Sequence, residues 1–515
     1  MADVATETGR ATLFRQVRVF ELSLPAGAGE PTDVLVADGQ IAQIGQPGLP
    51  VEAPAGAQVI DGAGHHLLAP GLINAHFHSS ANHMKGLLPS LPLELFMLYE
   101  SPELPELAPS PREAYLRTML GAIEMLRRGV TSVQDDAFFV PAPAGDIVDA
   151  VMAAYRDAGL RARVAIDQPE LPEGQKLPFL EDLAPAWLRR QLARPPAVGR
   201  AAMAELNRHL IETWHGAAGG RLTAAVSVSA PQRVSPEYFA DLFELSQTHD
   251  LPLFAHMLET KTQRVLADTQ PRFAGRSLVR YTHDLGFLDR RTNVIHAVWV
   301  DDADIELIAE AGACVMHNPV SNLRLGSGVM PFARLRRAGV TVALGSDEAI
   351  TDDAVNLWTV AKVAGLIHNI EGLDPDQWPS AREVLRCLFE GGARASLHEG
   401  ELGVVREGAM ADLMLLDLDT LPFTPLNDLP GQLVYCEDGS SVRLTMVAGE
   451  VVARDGRLTL VDEAALLAEA RELFAGRAAA LQAAGQAAQR VYPYYLEMVR
   501  RAAAYDVGFS RWVGN

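Results

Sequence analysis

Two histidines close an apolar stretch near the beginning of the chain. The run Pro70–His78 reads PGLINAHFH, so His76 and His78 are separated by a single residue. In a β-strand, residues i and i+2 point to the same face, and both imidazoles would therefore aim at one point. Convergent imidazoles can bind a transition metal. A single His-x-His pair also arises by chance, so by itself it leaves a purely structural role open.

Other short apolar runs end in residues that suit the same chemistry. One run ends at His256, a second at His296 and a third at Asp347. Three neutral imidazoles and a carboxylate are a ligand set that suits Zn²⁺ or Fe²⁺. A catalytic metal site keeps a position open for water, whose pKa the metal lowers. The recurrence at separate runs therefore predicts a catalytic metal site.

A barrel of parallel strands would place these residues at one end of the fold. Over residues 66–397, eight short apolar runs each precede a helix-like segment. Repeated β–α units imply a parallel sheet in an α/β protein. Eight of them predict a closed (β/α)₈ TIM barrel, whose sites lie at the C-terminal ends of the strands. A doubly wound open sheet is the alternative, which the number of units and their total length disfavour.

The segments on either side of the predicted barrel have a different pattern. Residues 1–65 and 398–460 contain short runs of alternating apolar and polar residues with turn signals. Each segment is too small to bury much core alone, so we expect them to join as one small β-sandwich. Residues 461–515 contain a long Ala-rich helix and six aromatic residues from Tyr492 to Trp512. This predicts a helical tail that packs on its own chain or on a neighbouring subunit.

The composition excludes several classes of partner. The chain has 515 residues, with 44 Lys+Arg against 65 Asp+Glu and a formal net charge of −21. Such a chain lacks the basic face that nucleic acid binding needs, and anionic membranes do not attract it. No apolar run reaches the ~18 residues of a membrane span, and Met1–Arg15 lacks the apolar region of a secretory signal. We therefore expect a cytoplasmic protein that acts on a small molecule.

Longer motifs around the same strand ends resemble a known family. They are PGLINAHFH, HMLET (His256–Thr260), VIHAVWVDD (Val294–Asp302), HNPVSNLRLGSG (His317–Gly328) and LGSDEAITDD (Leu344–Asp353). Over roughly residues 15–460 the chain resembles the amidohydrolase superfamily, in the deaminase and triazine-hydrolase branch. That branch includes guanine, cytosine and S-adenosylhomocysteine/methylthioadenosine deaminases.

The resemblance implies a hydrolase that acts on carbon–nitrogen bonds other than peptide bonds. The expected reaction is hydrolytic deamination of an amino-substituted nitrogen heterocycle. The alternative is hydrolysis of a C–N, C–S or C–Cl bond in a carbamate, a urea or an s-triazine-like compound. Glu259 argues against those branch members that lack this acid and displace a chloride.

Positions that match the family's motifs take on its roles. The resemblance implies a general acid/base at Glu259 and a water-orienting histidine at His296, while Asp347 would ligate the metal and accept the proton of water. Hydrolytic deamination needs a hydroxide, a proton carrier and an electrophile, and these roles supply all three. The implied metal ligands are His76, His78, His256 and Asp347.

The scarcity of lysine favours one metal ion over two. Binuclear members of the superfamily bridge their metals with a carboxylated Lys after the fourth strand. The fourth strand here corresponds to Leu222–Ser229 and has no Lys near it; the lysines of the chain are Lys85, Lys176, Lys261 and Lys362. We therefore expect one divalent ion, Zn²⁺, with Fe²⁺ as the alternative.

The segment after Asp347 is unusually acidic for this branch. Relatives often have Gly-Ala-Ala-Ser-Asn-Asn there, whereas this chain has Glu348-Ala-Ile-Thr-Asp352-Asp353. The carboxylates could recognise an amino, amidine or guanidine-like group through charge-assisted hydrogen bonds. Alternatively, Asp352 and Asp353 cap the next helix, since Asp favours such positions.

Further candidate substrate contacts come from loops after the predicted strands. His83 lies in the first βα loop, and His317 ends the seventh strand. After the fourth strand, either Gln232 or Arg233 points into the pocket or faces solvent. Ser229 stands where purine-type deaminases of the branch often have a His, which disfavours a nucleoside substrate. The apolar segment Leu88–Glu100 forms either a pocket wall or core. From the aromatic tail we also expect a homo-oligomer, a dimer or a tetramer.

Overall fold

The computed structural model describes residues 11–101 and 104–514. Residues 1–10 of the predicted sandwich segment, and of the stretch Met1–Arg15, therefore lie outside the described residues. The strands are β1 (Thr12–Val19), β2 (Thr32–Ala37), β3 (Gln40–Ile44), β4 (Gln58–Asp61), β5 (His66–Pro70), β6 (Leu72–His78), β7 (Val130–Phe138), β8 (Arg161–Asp167), β9 (Leu222–Ala224), β10 (Val226–Ser227), β11 (Leu253–Met257), β12 (Thr292–His296), β13 (Cys314–His317), β14 (Thr341–Leu344), β15 (Asp347–Glu348), β16 (Leu413–Asp417), β17 (Val442–Val447), β18 (Glu450–Arg454) and β19 (Arg457–Leu458).

Helices follow most strands of the central region and continue to the C-terminal end. They are α1 (Leu93–Glu100), α2 (Pro111–Leu126), α3 (Gly145–Ala158), α4 (Leu180–Leu183), α5 (Ala186–Leu192), α6 (Arg200–Trp214), α7 (Ala217–Gly220), α8 (Pro236–His249), α9 (Lys261–Thr269), α10 (Leu278–Asp284), α11 (Asp302–Ala311), α12 (Pro319–Arg324), α13 (Phe332–Arg337), α14 (Ala349–Asp352), α15 (Leu357–Ile367), α16 (Ala381–Arg386), α17 (Gly392–Ala395), α18 (Leu429–Tyr435), α19 (Glu463–Ala475) and α20 (Ala478–Ala504). None of the described helices combines the length and the apolar character needed to cross a membrane.

Two five-stranded parallel sheets carry the strand ends predicted to bear the site. Their strand orders are β10-β11-β12-β13-β14 and β15-β6-β7-β8-β9. Only Ala225 separates β9 from β10, and its N–H donates to the carbonyl of Val164 at 2.8 Å. At the other edge β15 pairs with β6, placing Asp347 opposite Phe77 and Glu348 opposite His78. The C-terminal ends of the strands from both sheets therefore lie close together.

The third sheet is mixed and contains strands from the segments before and after the parallel sheets. Its order is β19-β18-β17-β16-β5-β1-β2-β3, with β4 paired to β1. β5 runs parallel to β1 and antiparallel to β16. Side chains of this mixed sheet form one apolar core, to which the segments before and after the parallel sheets both contribute. The core includes Phe14, Val34, Leu68, Leu413 and Met446.

The first strand of the parallel sheets begins further along the chain than the sequence predicts. We expected the barrel segment to begin at His66, but His66–Pro70 is a strand of the mixed sheet and the first parallel strand begins at Leu72. Gly71 lies between them, where a Cβ atom would be 2.1 Å from the Thr131 side chain. The close approach at Gly71 lets the chain pass from one sheet to the other.

A buried ion pair connects the mixed sheet to the parallel sheets. The guanidinium of Arg161 donates to both carboxylate oxygens of Asp412, at 2.8 and 2.9 Å, and the backbone N–H of Ala448 donates to the same carboxylate at 2.9 Å. Truncating one partner of a buried pair leaves an uncompensated charge. We therefore expect Asp412→Ala to lower the free energy of unfolding by about 3–5 kcal/mol, as measured by denaturant titration.

The exposed pair between Arg334 and Asp302 is the matched control. Their side chains are 49% and 74% exposed at 3.0 Å separation, and such pairs contribute at most about 1 kcal/mol. Asp302→Ala should therefore have little effect. Equal unfolding midpoints for Asp412→Ala and Asp302→Ala would contradict a stabilising role for the buried pair.

The C-terminal tail packs on its own chain. α20 contacts α1, α4 and α9. Beyond it, the rings of Phe509 and Trp512 lie 5.9 and 5.1 Å from the ring of Trp299, between centroids. Arg511 donates to the carbonyl of Val298 at 3.0 Å. These contacts all lie within one chain, which is one of the two packing modes predicted for the tail.

The acidic residues after Asp347 do not cap the next long helix, so that interpretation was wrong. The N-cap of α15 is Asn356, whose side chain accepts a hydrogen bond from the N–H of Trp358. The chain first forms the short helix α14, which ends at Asp352. Asp353 instead accepts from the N–H of Gly86 and from Arg324.

Asp352 makes the stability of the fold dependent on pH. Burial, with the nearby carboxylates of Glu124 and Asp353, raises its pKa to about 7. Because the pKa of Asp352 is higher in the folded chain than in the unfolded chain, the free energy of unfolding keeps its full value below the unfolded pKa of ~3.9. It falls as pH rises, and the loss is complete once pH has passed through 7. Asp352→Asn should therefore stabilise the fold at pH 8 by roughly 2–4 kcal/mol relative to its effect at pH 4.

Thermal unfolding at both pH values tests this expectation. Glu205→Gln, at an exposed position of α6, is the control and should behave alike at both. A stabilisation by Asp352→Asn that is the same at pH 4 and pH 8 would contradict the role given to this carboxyl group.

Candidate active site

Four side chains from three separate strand ends meet in one cluster. His76 Nε2 and His78 Nε2 lie 3.4 and 3.5 Å from Asp347 Oδ1, and His256 Nε2 lies 3.3 Å from His78 Nε2. All four residues are at least 94% buried. These are the four metal ligands that the resemblance implies, and the fold brings them together.

The outer nitrogens of two imidazoles determine which ring atom faces the cluster. His78 Nδ1 lies 2.5 Å from the carbonyl of Asp136, and His256 Nδ1 lies 2.7 Å from the carbonyl of Ser229. A carbonyl only accepts, so each Nδ1 must carry the proton. In the neutral rings each Nε2 then directs a lone pair at the other. That arrangement is unfavourable unless a cation, either a proton on His78 or a metal ion, lies between the two nitrogens, and it is common for metal-bound histidines.

The separations in the cluster match those around a small tetrahedral ion. With bonds of ~2.0–2.1 Å, a tetrahedral Zn²⁺ site separates neighbouring ligand atoms by about 3.3–3.4 Å. Three of the six pairs of ligand atoms, His76–Asp347, His78–Asp347 and His78–His256, are separated by 3.3 to 3.5 Å. The donor set and its spacing therefore fit one divalent transition metal.

Most residues of the cluster have a pKa that favours the deprotonated form, which is the form that binds a metal. Burial lowers the pKa of His76 to about 4, and burial with the neighbouring imidazoles lowers that of His256 well below its ordinary value. The pKa of His78 is raised because, against burial, the carboxylates of Asp347 and Asp136 favour its charged form. Burial also opposes the charge on Asp347, but the hydrogen bond from His76 and the surrounding imidazoles hold its pKa well below the usual range.

Two hydrogen bonds fix β6 against the connection from β14 to β15. Asn74 Nδ2 donates to Ser346 Oγ at 2.8 Å, and the N–H of Ser346 donates to Asn74 Oδ1 at 3.0 Å. Gly345 permits this approach, because a Cβ there would lie 2.8 Å from His76 Cβ. Asn74 thereby sets the position of Asp347 relative to the histidines.

The backbone around the cluster is strained. Non-glycine residues at the strand ends have positive φ, a conformation that costs of order 1–3 kcal/mol each and that concentrates at functional sites. They are Ser229 (φ 59°), Leu258 (φ 54°), His296 (φ 71°), Ala297 (φ 47°) and Asp347 (φ 59°).

Glu259 and His296 lie beside the cluster as a pair. His296 Nε2 is 3.6 Å from Glu259 Oε2 and 3.9 Å from Asp347 Oδ2, while its Nδ1 lies 3.0 Å from Asn322 Oδ1. Burial, with the nearby charge of Asp347, raises the pKa of Glu259 well above its ordinary value. Burial lowers the pKa of His296. A carboxyl group that holds its proton near neutral pH can act as a general acid.

The sequence matches a family model over most of its length. The model of the amidohydrolase family (Amidohydro_1) matches residues 67–452, which is more than half of the chain. This protein belongs to the amidohydrolase family. The predicted family is thus confirmed, and so is the predicted enzyme class, a metal-dependent hydrolase of carbon–nitrogen bonds.

Several known proteins are similar to this amidohydrolase. A 5-methylthioadenosine/S-adenosylhomocysteine deaminase of Nitratidesulfovibrio vulgaris is 34% identical over 85% of this chain and 91% of its own. A 5'-deoxyadenosine deaminase of Methanosarcina mazei is 29% identical over 89% of this chain and 96% of its own.

Solved structures of the same fold also match. A zinc-bound adenosine deaminase from Xanthomonas campestris has a TM-score of 0.75 and 27% identity, covering 90% of this chain and 97% of its own. An atrazine chlorohydrolase from Arthrobacter aurescens, complexed with zinc, has a TM-score of 0.79 at 24% identity, covering 90% and 99%. The second likeness concerns the fold alone.

The His₃Asp cluster of the amidohydrolase faces a small pocket that lies beside a larger cavity. The metal-facing pocket, as we call the first, is lined by His78, Leu93, Met97, Glu100, Phe138, Asp167, Arg233, His256, Glu259, His296, Leu325, Asp347, Glu348 and Thr351. The adjoining cavity has a volume of about 440 Å³. Four residues line both spaces, namely Leu93, Met97, Phe138 and Arg233.

The predicted substrate contacts fall into different places. Glu348 lines the metal-facing pocket, whereas Gln232 lines the larger cavity. His83 packs against Phe474, at 4.8 Å between ring centroids, and lines another small cavity, which shares Glu100 and Phe138 with the metal-facing pocket. His317 is buried and lies 3.2 Å from His368, between their Nε2 atoms. Among the described residues, neither His83 nor His317 lines the metal-facing pocket.

The pocket contains residues to which sequence reasoning gave no role. Glu100 and Asp167 line it from the end of α1 and the end of β8. Asp167 closes a short apolar strand, as His256 does, and that signal could have found it. Glu100 ends the segment Leu88–Glu100, for which a pocket wall was one of two interpretations; Met97 of that segment also lines the pocket.

Proposed function

We propose that this amidohydrolase is a mononuclear, zinc-dependent hydrolytic deaminase of an amino-substituted nitrogen heterocycle. The observation that carries the proposal is the buried Glu259 carboxyl group, 3.6 Å from His296 and in the same pocket as the His₃Asp cluster. Deamination needs an acid that can protonate both a ring nitrogen and a leaving amine, and a carboxyl group with a raised pKa suits that task.

His76, His78, His256 and Asp347 would hold the metal, and the four lysines of the chain lie outside the lining of the metal-facing pocket. A single ion is therefore proposed, with Fe²⁺ as the alternative to Zn²⁺. When bound, such an ion supplies Lewis acidity that makes water a nucleophile near neutral pH.

The remaining chemistry falls to side chains of this chain. Ser321 Oγ donates to Asp347 Oδ2 at 2.6 Å, and this oxygen lies 3.9 Å from His296 Nε2, whereas Oδ1 faces the imidazoles of His76 and His78. The Asp347 carboxylate can accept a proton from the attacking water. Glu259 gives its proton to the ring nitrogen, takes up the proton that the attacking water lost to Asp347, and passes it to the departing amine. The proton of the new hydroxyl group then returns to Glu259 as the carbonyl forms, so both carboxyl groups end in their starting state. His296, whose Nδ1 lies 3.0 Å from Asn322 Oδ1, directs its Nε2 at the site, where it would orient the attacking water and polarise the bond under attack.

The deaminases among the relatives act on adenosine-like compounds according to their names, and an adenine-like ring is a reasonable first substrate class. Ser229 replaces the expected His here, and Arg233 Nη1 lies 3.2 Å from Ser229 Oγ. We infer that Arg233 contacts the substrate in part of the space where relatives often have a histidine. The group attached to the ring of the substrate would then differ from the group in the relatives' substrates.

The proposal includes the architecture that this chemistry requires. The two parallel sheets, which meet at β9/β10 and at β15/β6, support one closed (β/α)₈ barrel with the site at its C-terminal face. We further propose that the protein acts in the cytoplasm as a dimer or a tetramer. Light scattering coupled to size-exclusion chromatography would give the mass of the assembly.

An ammonia-release screen of the zinc-loaded enzyme tests the function. Purines, pyrimidines, pterins and triazines would be offered, with metal content measured in parallel. We expect stoichiometric ammonia from at least one amino-heterocycle and about one metal ion per chain. Release of chloride, a thiol or an alkylamine without ammonia would overturn the deaminase proposal in favour of the alternative hydrolase.

A further inference from the structure

The metal-facing pocket has more carboxyl groups than the proposed reaction uses. Its lining includes the acidic residues Glu100, Asp167, Glu259, Asp347 and Glu348. Asp347 would hold the metal and Glu259 would move the proton. Three acidic side chains are left without a task, whereas Arg233 is the one Lys or Arg side chain among the described residues that line this pocket.

Two of these three acids form a pair that faces the pocket. Glu100 ends α1, Glu348 precedes α14, and their carboxyl groups are neighbours in the lining of the metal-facing pocket, close enough to share a proton. Both residues are only half-buried, so each presents surface to the pocket. Two carboxylates lie at hydrogen-bonding distance only if a proton or a cationic donor is held between them.

The third acid gives an independent observation from another strand. Asp167 lies at the end of β8, is 3% exposed, and its Oδ1 has no hydrogen-bond partner among the described residues. A buried, unsatisfied carboxylate oxygen is costly. Because Asp167 lines the same pocket as Glu100 and Glu348, a donor bound in that pocket could satisfy it.

Arg233 does not offset these acids by direct contact. Its guanidinium donates to Ser229 Oγ at 3.2 Å and lies 3.7 Å from the sulfur of Met97, and no ion pair joins it to a carboxylate within the described part of the chain. The acidic side of the pocket therefore stays available to a ligand.

We propose that Glu100 and Glu348, assisted by Asp167, bind a guanidinium or amidinium group of the substrate. This inference rests on the proposed function, in which the ring to be deaminated sits between the metal and Glu259. A planar cation of this type presents several N–H donors in a fixed fork, which matches paired carboxylates. The substrate would then be an amino-heterocycle with a second, positively charged nitrogen group.

Two probes of equal shape and different charge test the inference without turnover. Phenylguanidine is a cation and phenylurea is its neutral counterpart; their binding to the zinc-loaded enzyme would be measured by titration calorimetry. We expect phenylguanidine to bind at least ~10-fold more tightly, as hydrogen bonds to charged groups allow. In Glu348→Gln and in Glu100→Gln the preference should fall to within about 3-fold.

Glu205→Gln, an exposed change on α6, is the matched control and should keep the full preference. Equal binding of the two probes to the unmodified enzyme would overturn the inference, as would a preference that persists in both pocket variants. Because calorimetry needs no reaction, this outcome is separate from the ammonia screen: the cation preference can hold while deamination fails, and the reverse.

Discussion

Glu259→Gln is expected to reduce the rate of ammonia release by about 10²–10⁴-fold, the usual contribution of a general acid/base. Gln keeps the size of the side chain but cannot carry the proton. Glu259 is not one of the four residues that would hold the metal. The variant should therefore retain about one ion per chain. Steady-state kinetics and metal analysis of the same preparation would check both parts.

The two readouts separate a catalytic role from a structural one. The control Glu205→Gln should have the rate and metal content of the unmodified enzyme. A Glu259→Gln variant with full activity would remove Glu259 from the mechanism. Loss of the metal together with activity would show that Glu259 supports the metal site and not the proton transfer.

His256→Ala should abolish metal binding and lower activity by about 10³-fold or more. The Lewis acid is worth several kcal/mol in the transition state, and each 1.36 kcal/mol is a tenfold change in rate. The variant removes one of four donors from a cluster with 3.3–3.5 Å contacts. Metal content by mass spectrometry should fall from about one ion per chain to well below that value.

Thermal unfolding gives a second measurement of the same change. A ligand that binds the native state stabilises it, so a chelator should lower the melting temperature of the unmodified enzyme and leave that of His256→Ala unaffected. His249→Ala, at the exposed end of α8, is the matched control and should respond to the chelator. A His256→Ala variant that retains one ion per chain would contradict the assignment of His256 as a ligand.

The proposed metal ligands could be anticipated because a strand's C-terminal end is a position that sequence patterns identify. His76, His256 and Asp347 each close a short apolar run, and parallel strands bring such ends together. The pairing of Glu100 with Glu348 could not be anticipated, since it depends on how α1 lies across the strand ends. No periodic pattern specifies that placement.

In two places, local sequence patterns did not resolve where single side chains lie. In the turn Pro231–Arg233, sequence spacing left open which of Gln232 and Arg233 points into the pocket; Arg233 lines the metal-facing pocket, and Gln232 lines the larger cavity. Asp352 and Asp353 looked like helix caps because Asp favours those positions. The short helix α14 displaces the next helix start to Asn356.

The wall that α20 contributes to the larger cavity has a consequence for how this enzyme could diversify. Three of its lining residues are alanines, namely Ala484, Ala487 and Ala488. Replacing one of them by a larger residue would narrow the cavity without touching any strand end. Selection for a new substrate size could therefore act on one terminal helix, while the residues that perform the reaction stay under a separate constraint.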